Sequence, residues 1–75
     1  MNKKKLVDKL LEMGADRSTF NILGCPKDFA YNLVSSKNGF DVYWQEKGLR
    51  TLLISDASFV VASKTLLKEW CEDFL

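Results

Sequence analysis

Apolar residues recur at helical spacing near both ends of the chain and alternate with polar residues in the middle. In Lys3–Met13, Leu6 and Leu10 recur with a spacing of four, which predicts an amphipathic helix. Asn2 is the expected N-cap of this helix, and Gly14 suits the left-handed position after its end. The spacing of apolar residues predicts a second helix over Phe59–Phe74.

Two β-prone runs and a third one after a turn predict a sheet between the helices. The expected strands are Phe29–Ser36, Phe40–Gln45 and Leu49–Ser55, with a further short strand over Thr19–Leu23. The pair Asn38-Gly39 is typical of a tight hairpin in which both residues have positive φ. Glu46-Lys47-Gly48 predicts a second tight turn, and either Asp56 or Ser58 is expected to cap the last helix.

Alternation assigns the two faces of the first two long strands. One face is expected to enter the core and carries Phe29, Tyr31, Leu33, Phe40, Val42 and Trp44. The opposite face carries Asp41, Tyr43 and Gln45, whereas the third run has no clear alternation. The sequence therefore predicts the α+β class: a helix, an antiparallel meander of three to four strands, and a helix. Both helices are expected to cover one face of this sheet.

Composition indicates one globular domain over residues 1–75, because 47 % of the residues are hydrophobic and 28 % are charged. The formal net charge is only +1. Modules that bind the phosphates of nucleic acids usually carry a clear basic excess, so nucleic acid is not the expected partner. No apolar run is long enough for a signal peptide or a membrane span, and the cytoplasm is the expected location.

Candidate chemistry is sparse. The chain has no histidine, which removes the commonest general base and the commonest zinc ligand. Its two cysteines, Cys25 and Cys71, are expected to be reduced thiols rather than members of a disulfide framework or a metal site. We therefore predict a chain without catalytic residues, without a metal site and without a cofactor. Such a domain is expected to act by binding another protein.

A series of short motifs supports this interpretation. The motifs are Gly14-x-Asp16, Phe20-Asn21-Ile22-Leu23-Gly24, Ala30-Tyr31-x-Leu33 and Gly39-Phe40-x-Val42-Tyr43-Trp44-x-Glu46-Lys47-Gly48-Leu49-Arg50. Together with the terminal helix they resemble the small immunity proteins encoded beside bacterial polymorphic toxins. The resemblance covers roughly residues 14–70, and it implies a binder that neutralises a toxin by blocking or distorting its active site.

Tight interfaces usually have aromatic and arginine residues at their centre. On this chain the candidate partner-binding residues are Tyr43, Glu46 and Arg50, with Asp41 and Gln45 at the rim.

Two alternative functions remain open. The order of helix, strands and helix also occurs in double-stranded-RNA-binding domains, and the chain could instead be a homodimeric structural or regulatory domain that pairs through the open sheet face or the Leu49–Ile54 edge.

Overall fold

Two helices flank a four-stranded sheet in the computed structural model, which describes residues 1–75. The elements are α1 (Lys3–Glu12), a short 3₁₀ helix (Arg17–Thr19), β1 (Phe20–Ile22), β2 (Ala30–Ser35), β3 (Phe40–Glu46), β4 (Leu49–Ala57) and α2 (Phe59–Phe74). The predicted α+β class and the predicted order of elements are confirmed.

Local side-chain signals define the ends of both long helices. The side chain of Asn2 accepts a hydrogen bond from the backbone N–H of Lys5 at 2.9 Å, which satisfies one of the free donors of the first turn of α1. Gly14 follows that helix with φ of 90°, a conformation that a side chain disfavours. Ser58 caps α2, because its hydroxyl accepts from Val61 N–H at 3.2 Å. Of the two candidate caps, Ser58 rather than Asp56 has this role.

The sheet has the strand order β1-β2-β3-β4. The pairs β2/β3 and β3/β4 are antiparallel, as predicted, but β1 pairs with β2 in parallel. The prediction of a purely antiparallel meander is therefore wrong for β1. Parallel neighbours usually need a connection of a dozen or more residues. Here the paired strand is only three residues long, so the shorter segment from Leu23 to Phe29 can return to the start of β2.

One face of the sheet enters the core. Tyr31, Leu33 and Val42 point from it into a cluster with apolar side chains of both helices. The helix residues of this cluster are Leu6 and Leu10 of α1, and Ala62, Leu66 and Trp70 of α2. We call this side of the sheet the core face and the opposite side the second face. Helix α2 packs on β2, β3 and β4, whereas the covering of one face by both helices stays a prediction.

The segment Leu23–Phe29, which we call the crossover loop, lies over the second face. The Asn32 amide accepts from Lys27 N–H at 2.9 Å and donates to the carbonyls of Lys27 at 3.1 Å and Ala30 at 3.2 Å. Asn21 donates from Nδ2 to the carbonyl of Gly24 at 3.2 Å. These bonds explain why two asparagines are buried on a sheet face that the sequence predicts to be open.

Phe29 is outside the core, so the prediction that it packs with Tyr31 and Leu33 is wrong. Its side chain is 52 % exposed and its φ is 56°. Strand β2 begins only at Ala30, and the positive φ turns the chain before that point. The alternation of β2 therefore does not extend back to Phe29.

The two hairpins reverse direction by different means. Lys47 and Gly48 have φ of 51° and 78°, and two consecutive positive φ angles are typical of a two-residue turn. The tight turn predicted for this site is therefore confirmed. Asn38 and Gly39 do not have positive φ, so that prediction is wrong. Their loop is longer and is closed by Ser36 N–H bonding to Gly39 O at 2.8 Å. Gly39 is required for another reason, because a Cβ there would lie 2.6 Å from Ala57 O.

Strand β4 contains a bulge, which explains its unclear alternation. The register with β3 shifts on both sides of Val42, and consecutive Leu53 and Ile54 both pack against the core. Near the end of the strand, Asp56 has φ of 52° and its N–H donates to Asp41 Oδ1 at 2.8 Å. The strand then continues to Ala57, two positions beyond the predicted end.

Candidate functional site

Three of the five predicted partner-binding residues come together on the second face. Tyr43 and Gln45 project from β3, and Arg50 projects from β4 directly opposite Gln45. The tight Lys47–Gly48 turn sets this register, because it leaves Gln45 and Arg50 as a cross-strand pair. Leu52 lies opposite Tyr43 and completes the four-residue group.

Tyr43 lies beneath the guanidinium group of Arg50. The Arg50 Cζ atom is 4.6 Å from the centre of the Tyr43 ring, which is cation–π geometry. Tyr43 is only 3 % exposed, and its hydroxyl has no hydrogen-bond partner. The sequence predicted the face on which this ring lies, but it did not predict that the ring is covered.

Hydrogen bonds connect Arg50 to the crossover loop through Gln45. Arg50 Nε donates to Gln45 Oε1 at 3.3 Å, and Gln45 Nε2 donates to Asp28 Oδ1 at 2.8 Å. The guanidinium is therefore held by an aromatic ring below it and by an amide beside it. This arrangement restricts a side chain that otherwise has high rotamer entropy.

Asp28 joins the crossover loop to the β3–β4 turn. Its Oδ1 atom accepts from Gln45 Nε2 and from the backbone N–H of Gly48 at 3.1 Å. These two bonds, with that of Gln45 the larger cause, lower the pKa of the Asp28 carboxyl below its usual value because they favour the charged form. Sequence reasoning missed Asp28, since in the sequence it only precedes the predicted strand Phe29–Ser36.

Apolar side chains are exposed next to these polar groups. Leu52 is 59 % exposed and lies two residues from Arg50 on the same strand face. Phe29 lies at the same end of the sheet, because its N–H bonds to Gln45 O at 2.7 Å. We call this group the Arg50 patch; its residues are Asp28, Phe29, Tyr43, Gln45, Arg50 and Leu52.

The structure does not bring the other two predicted residues into the patch. Asp41 lies near the opposite end of β3, where its carboxylate accepts from Asp56 N–H. Glu46 Oε1 accepts from Trp44 Nε1 at 3.1 Å, which ties it to a residue of the core face. The partner-binding role of Asp41 and Glu46 stays a prediction.

Other candidate chemistry lies apart from the patch. An open depression of about 430 Å³ is lined by Lys3, Lys4, Val7, Asp8 and Arg17. Cys25 is exposed, Cys71 is partly buried, and neither forms a disulfide. No group of three or more His, Cys, Asp or Glu side chains is arranged to hold a metal ion.

Neither α1 nor α2 combines the length and the apolar character that a membrane-crossing helix needs. Comparison of the chain with protein-family models, with curated proteins and with solved structures found no match.

Proposed function

We propose that this chain is a non-catalytic protein-binding domain and that it acts in the bacterial cytoplasm as an immunity protein. In this proposal it binds a cognate toxin through the Arg50 patch and occludes the toxin's active site. One observation carries the proposal: Arg50 is exposed, yet its guanidinium lies 4.6 Å from the Tyr43 ring centre and bonds to Gln45. The motif resemblance to immunity proteins supports the choice of partner.

An arginine held in this way suits a tight interface. Binding normally immobilises exposed side chains, at a cost of about 0.5–1.5 kcal/mol for each flexible one. The contacts to Tyr43 and Gln45 already restrict Arg50 in the free chain. Arginine and aromatic residues are also the types that contribute most to protein interfaces, and exposed Leu52 supplies apolar area beside them.

Two observations argue against nucleic acid as the ligand: Tyr43 offers no open ring for stacking the bases of single strands, and the near-neutral charge does not suit the phosphates of double-stranded RNA. Single-stranded nucleic acids are usually bound by stacking bases on open aromatic rings. Tyr43 is only 3 % exposed because Arg50 and neighbouring groups cover it, so it offers no open ring. The near-neutral charge of the chain points the same way.

The test begins with the gene immediately upstream of this one: a toxin domain encoded there is used in a survival assay, and an upstream gene without a toxin domain counts against the function. Cells that express the toxin are expected to grow only when this chain is co-expressed, and the purified pair should form a 1:1 complex. The double variant Arg50→Ala/Leu52→Ala is expected to weaken binding by roughly 100-fold or more, since an arginine at the centre of an interface costs about 2 kcal/mol or more when truncated and the loss of Leu52 adds a smaller amount.

Two matched controls separate the patch from the rest of the surface. The double variant Lys3→Ala/Lys4→Ala changes exposed residues of α1, and Glu72→Gln changes an exposed carboxylate of α2. Both are expected to protect cells as well as the unchanged chain does. Loss of protection in the controls but not in the Arg50 variant would refute the assignment of the site. Failure of the unchanged chain to bind or protect would refute the function.

A further inference from the structure

Arg50 retains most of its capacity to donate hydrogen bonds. A guanidinium has five N–H donors, and in this chain only the one on Nε has an acceptor, Gln45 Oε1. The four donors on the two Nη atoms have no acceptor in the chain and belong to an exposed side chain. They form a planar fork that matches the two oxygens of a carboxylate.

The two acidic residues that are bonded around the β3–β4 turn do not bond to Arg50. Asp28 Oδ1 accepts from Gln45 and from Gly48 N–H, and Glu46 Oε1 accepts from Trp44 on the core face. The turn beside Arg50 adds a second cation, Lys47, which is exposed. The charges of Arg50 and Lys47 are balanced by those of Asp28 and Glu46, so what the patch offers to a carboxylate of a partner is the open Nη edge of Arg50 and not a net positive charge.

We propose that Arg50 is a receptor for one carboxylate side chain of the partner protein, within an apolar segment that packs on Leu52. This inference rests on the proposed function and names the chemistry that the same patch recognises. The apolar part follows from the 59 % exposure of Leu52, which lies two residues away on the same face of β4. The partner residue is thus an aspartate or glutamate flanked by apolar side chains.

A carboxylate fits this surface better than a phosphate backbone does. Nucleic-acid backbones are bound by several cations that follow a row of phosphates. The second face presents a single arginine, with Lys47 in the adjacent turn. Lys27 of the crossover loop donates to the carbonyls of Arg17 and Phe20, and Lys3, Lys4 and Arg17 line a separate depression. A single fork between apolar neighbours suits one acidic side chain of a protein.

The stacked position of Arg50 is part of the recognition. Tyr43 contacts one face of the guanidinium and Gln45 engages Nε, so the edge that carries the Nη atoms is left for the ligand. A lysine at this position would keep the charge but would lack the fork. Arg50→Lys therefore separates bidentate recognition from simple charge attraction.

The test uses two peptides and does not require the toxin. Acetyl-Val-Leu-Glu-Leu-Val-amide and its Gln counterpart are titrated into the ¹⁵N-labelled chain and followed by two-dimensional NMR. The Arg50 Nε–H and Leu52 amide signals report on the patch. The indole N–H of Trp44, which bonds to Glu46, is the control signal for the core face.

The Glu peptide is expected to shift both patch signals in a saturable way and to bind about tenfold more tightly than the Gln peptide. Arg50→Lys should reduce this preference to about twofold, while the variant's spectrum stays dispersed as in the folded chain. Equal binding of the two peptides, an unchanged preference in Arg50→Lys, or shifts confined to α1 would overturn the proposal. Tighter binding of a short single-stranded oligonucleotide at Arg50 would overturn it as well.

The outcomes distinguish this inference from the proposed function. If the peptides show no carboxylate preference while the chain still protects cells from the toxin, the receptor role of Arg50 is wrong and the immunity function stands. If the preference is found but no toxin is bound, the recognition chemistry is right and the function is wrong.

Discussion

Replacement of Asn32 by alanine removes the three hydrogen bonds that fasten the crossover loop to the sheet. Asn32 is fully buried, accepts from Lys27 N–H and donates to two carbonyl groups. Each such bond contributes a net free energy of about 1 kcal/mol, and more when its partner stays buried. We expect Asn32→Ala to lower the free energy of unfolding by about 2–4 kcal/mol, which is most of what a domain of this size usually has.

The assay is urea denaturation followed by tryptophan fluorescence, which gives the midpoint and the slope of unfolding. Asn32→Asp keeps the acceptor oxygen but loses both donors and buries a charge, so it should be at least as destabilising. Asn38→Ala is the control, because Asn38 is exposed and takes part only through its backbone N–H. A loss under about 0.5 kcal/mol for Asn32→Ala would refute the role assigned to this amide.

Three further sets of variants probe the backbone, a carboxylate and two buried hydroxyls. Gly39→Ala should lower the free energy of unfolding more than Gly48→Ala does in the same urea assay. A Cβ at Gly39 would lie 2.6 Å from a backbone oxygen, whereas Gly48 has open space around it and only a positive φ. The reverse order of the two losses would contradict the close contact at Gly39. The hydrogen bonds that lower the pKa of Asp28 stabilise the folded chain. This contribution is fully present above the pKa of the unfolded chain, near 3.8, and is lost as the pH falls through the lower pKa of the folded chain. The stability difference between the unchanged chain and Asp28→Asn should therefore shrink between about pH 5 and pH 2, and a constant difference would disprove the role of the charge. Ser63→Ala and Tyr43→Phe each remove a buried hydroxyl without a partner, so thermal unfolding should show equal or greater stability, by up to about 1 kcal/mol; a clear loss would mean that the hydroxyl is hydrogen-bonded.

Short-range signals predicted the parts of the fold that depend on a few adjacent residues. Asn2, Gly14 and Ser58 end or begin helices because their own side chains or backbone angles satisfy the helix termini. Lys47-Gly48 makes a two-residue turn because both positions adopt positive φ. Asn38-Gly39 carries the same signal, but its loop is shaped by close contact of Gly39 with the end of β4, which no local pattern shows.

The direction of β1 depends on how the crossover loop is held, which the pattern of apolar residues does not show. The pattern in Thr19–Leu23 indicates an extended segment but not whether it runs with or against its neighbour. The parallel arrangement depends on the buried amides of Asn21 and Asn32, which form hydrogen bonds with backbone groups of the crossover loop. Asparagine within a strand does not by itself predict which groups it will bond to. Its role in holding a loop is recognised only once the position of that loop is known.

Alternation predicted that Tyr43 and Gln45 share a face, whereas Arg50 was grouped with them only by residue type and by its position after the turn. The structure places Arg50 on the same face, because the Lys47–Gly48 turn pairs it with Gln45. Asp28 could not be found in this way, since its contacts to Gln45 and Gly48 bridge separate parts of the chain. Alternation also assigns a face without saying what covers it, which is why the burial of Tyr43 was not predicted.

The bulge in β4 also affects how the chain behaves at high concentration. An outer strand with open N–H and C=O groups can recruit another strand and so begin aggregation, and β4 is nine residues long with several apolar side chains. Its register shift and the positive φ of Asp56, held by Asp41, twist the far part of this edge away from a flat template. The opposite outer strand, β1, offers only three residues. One edge of the sheet is thus protected by its irregular shape and the other by its shortness, and we expect the folded chain to resist end-to-end growth of sheets.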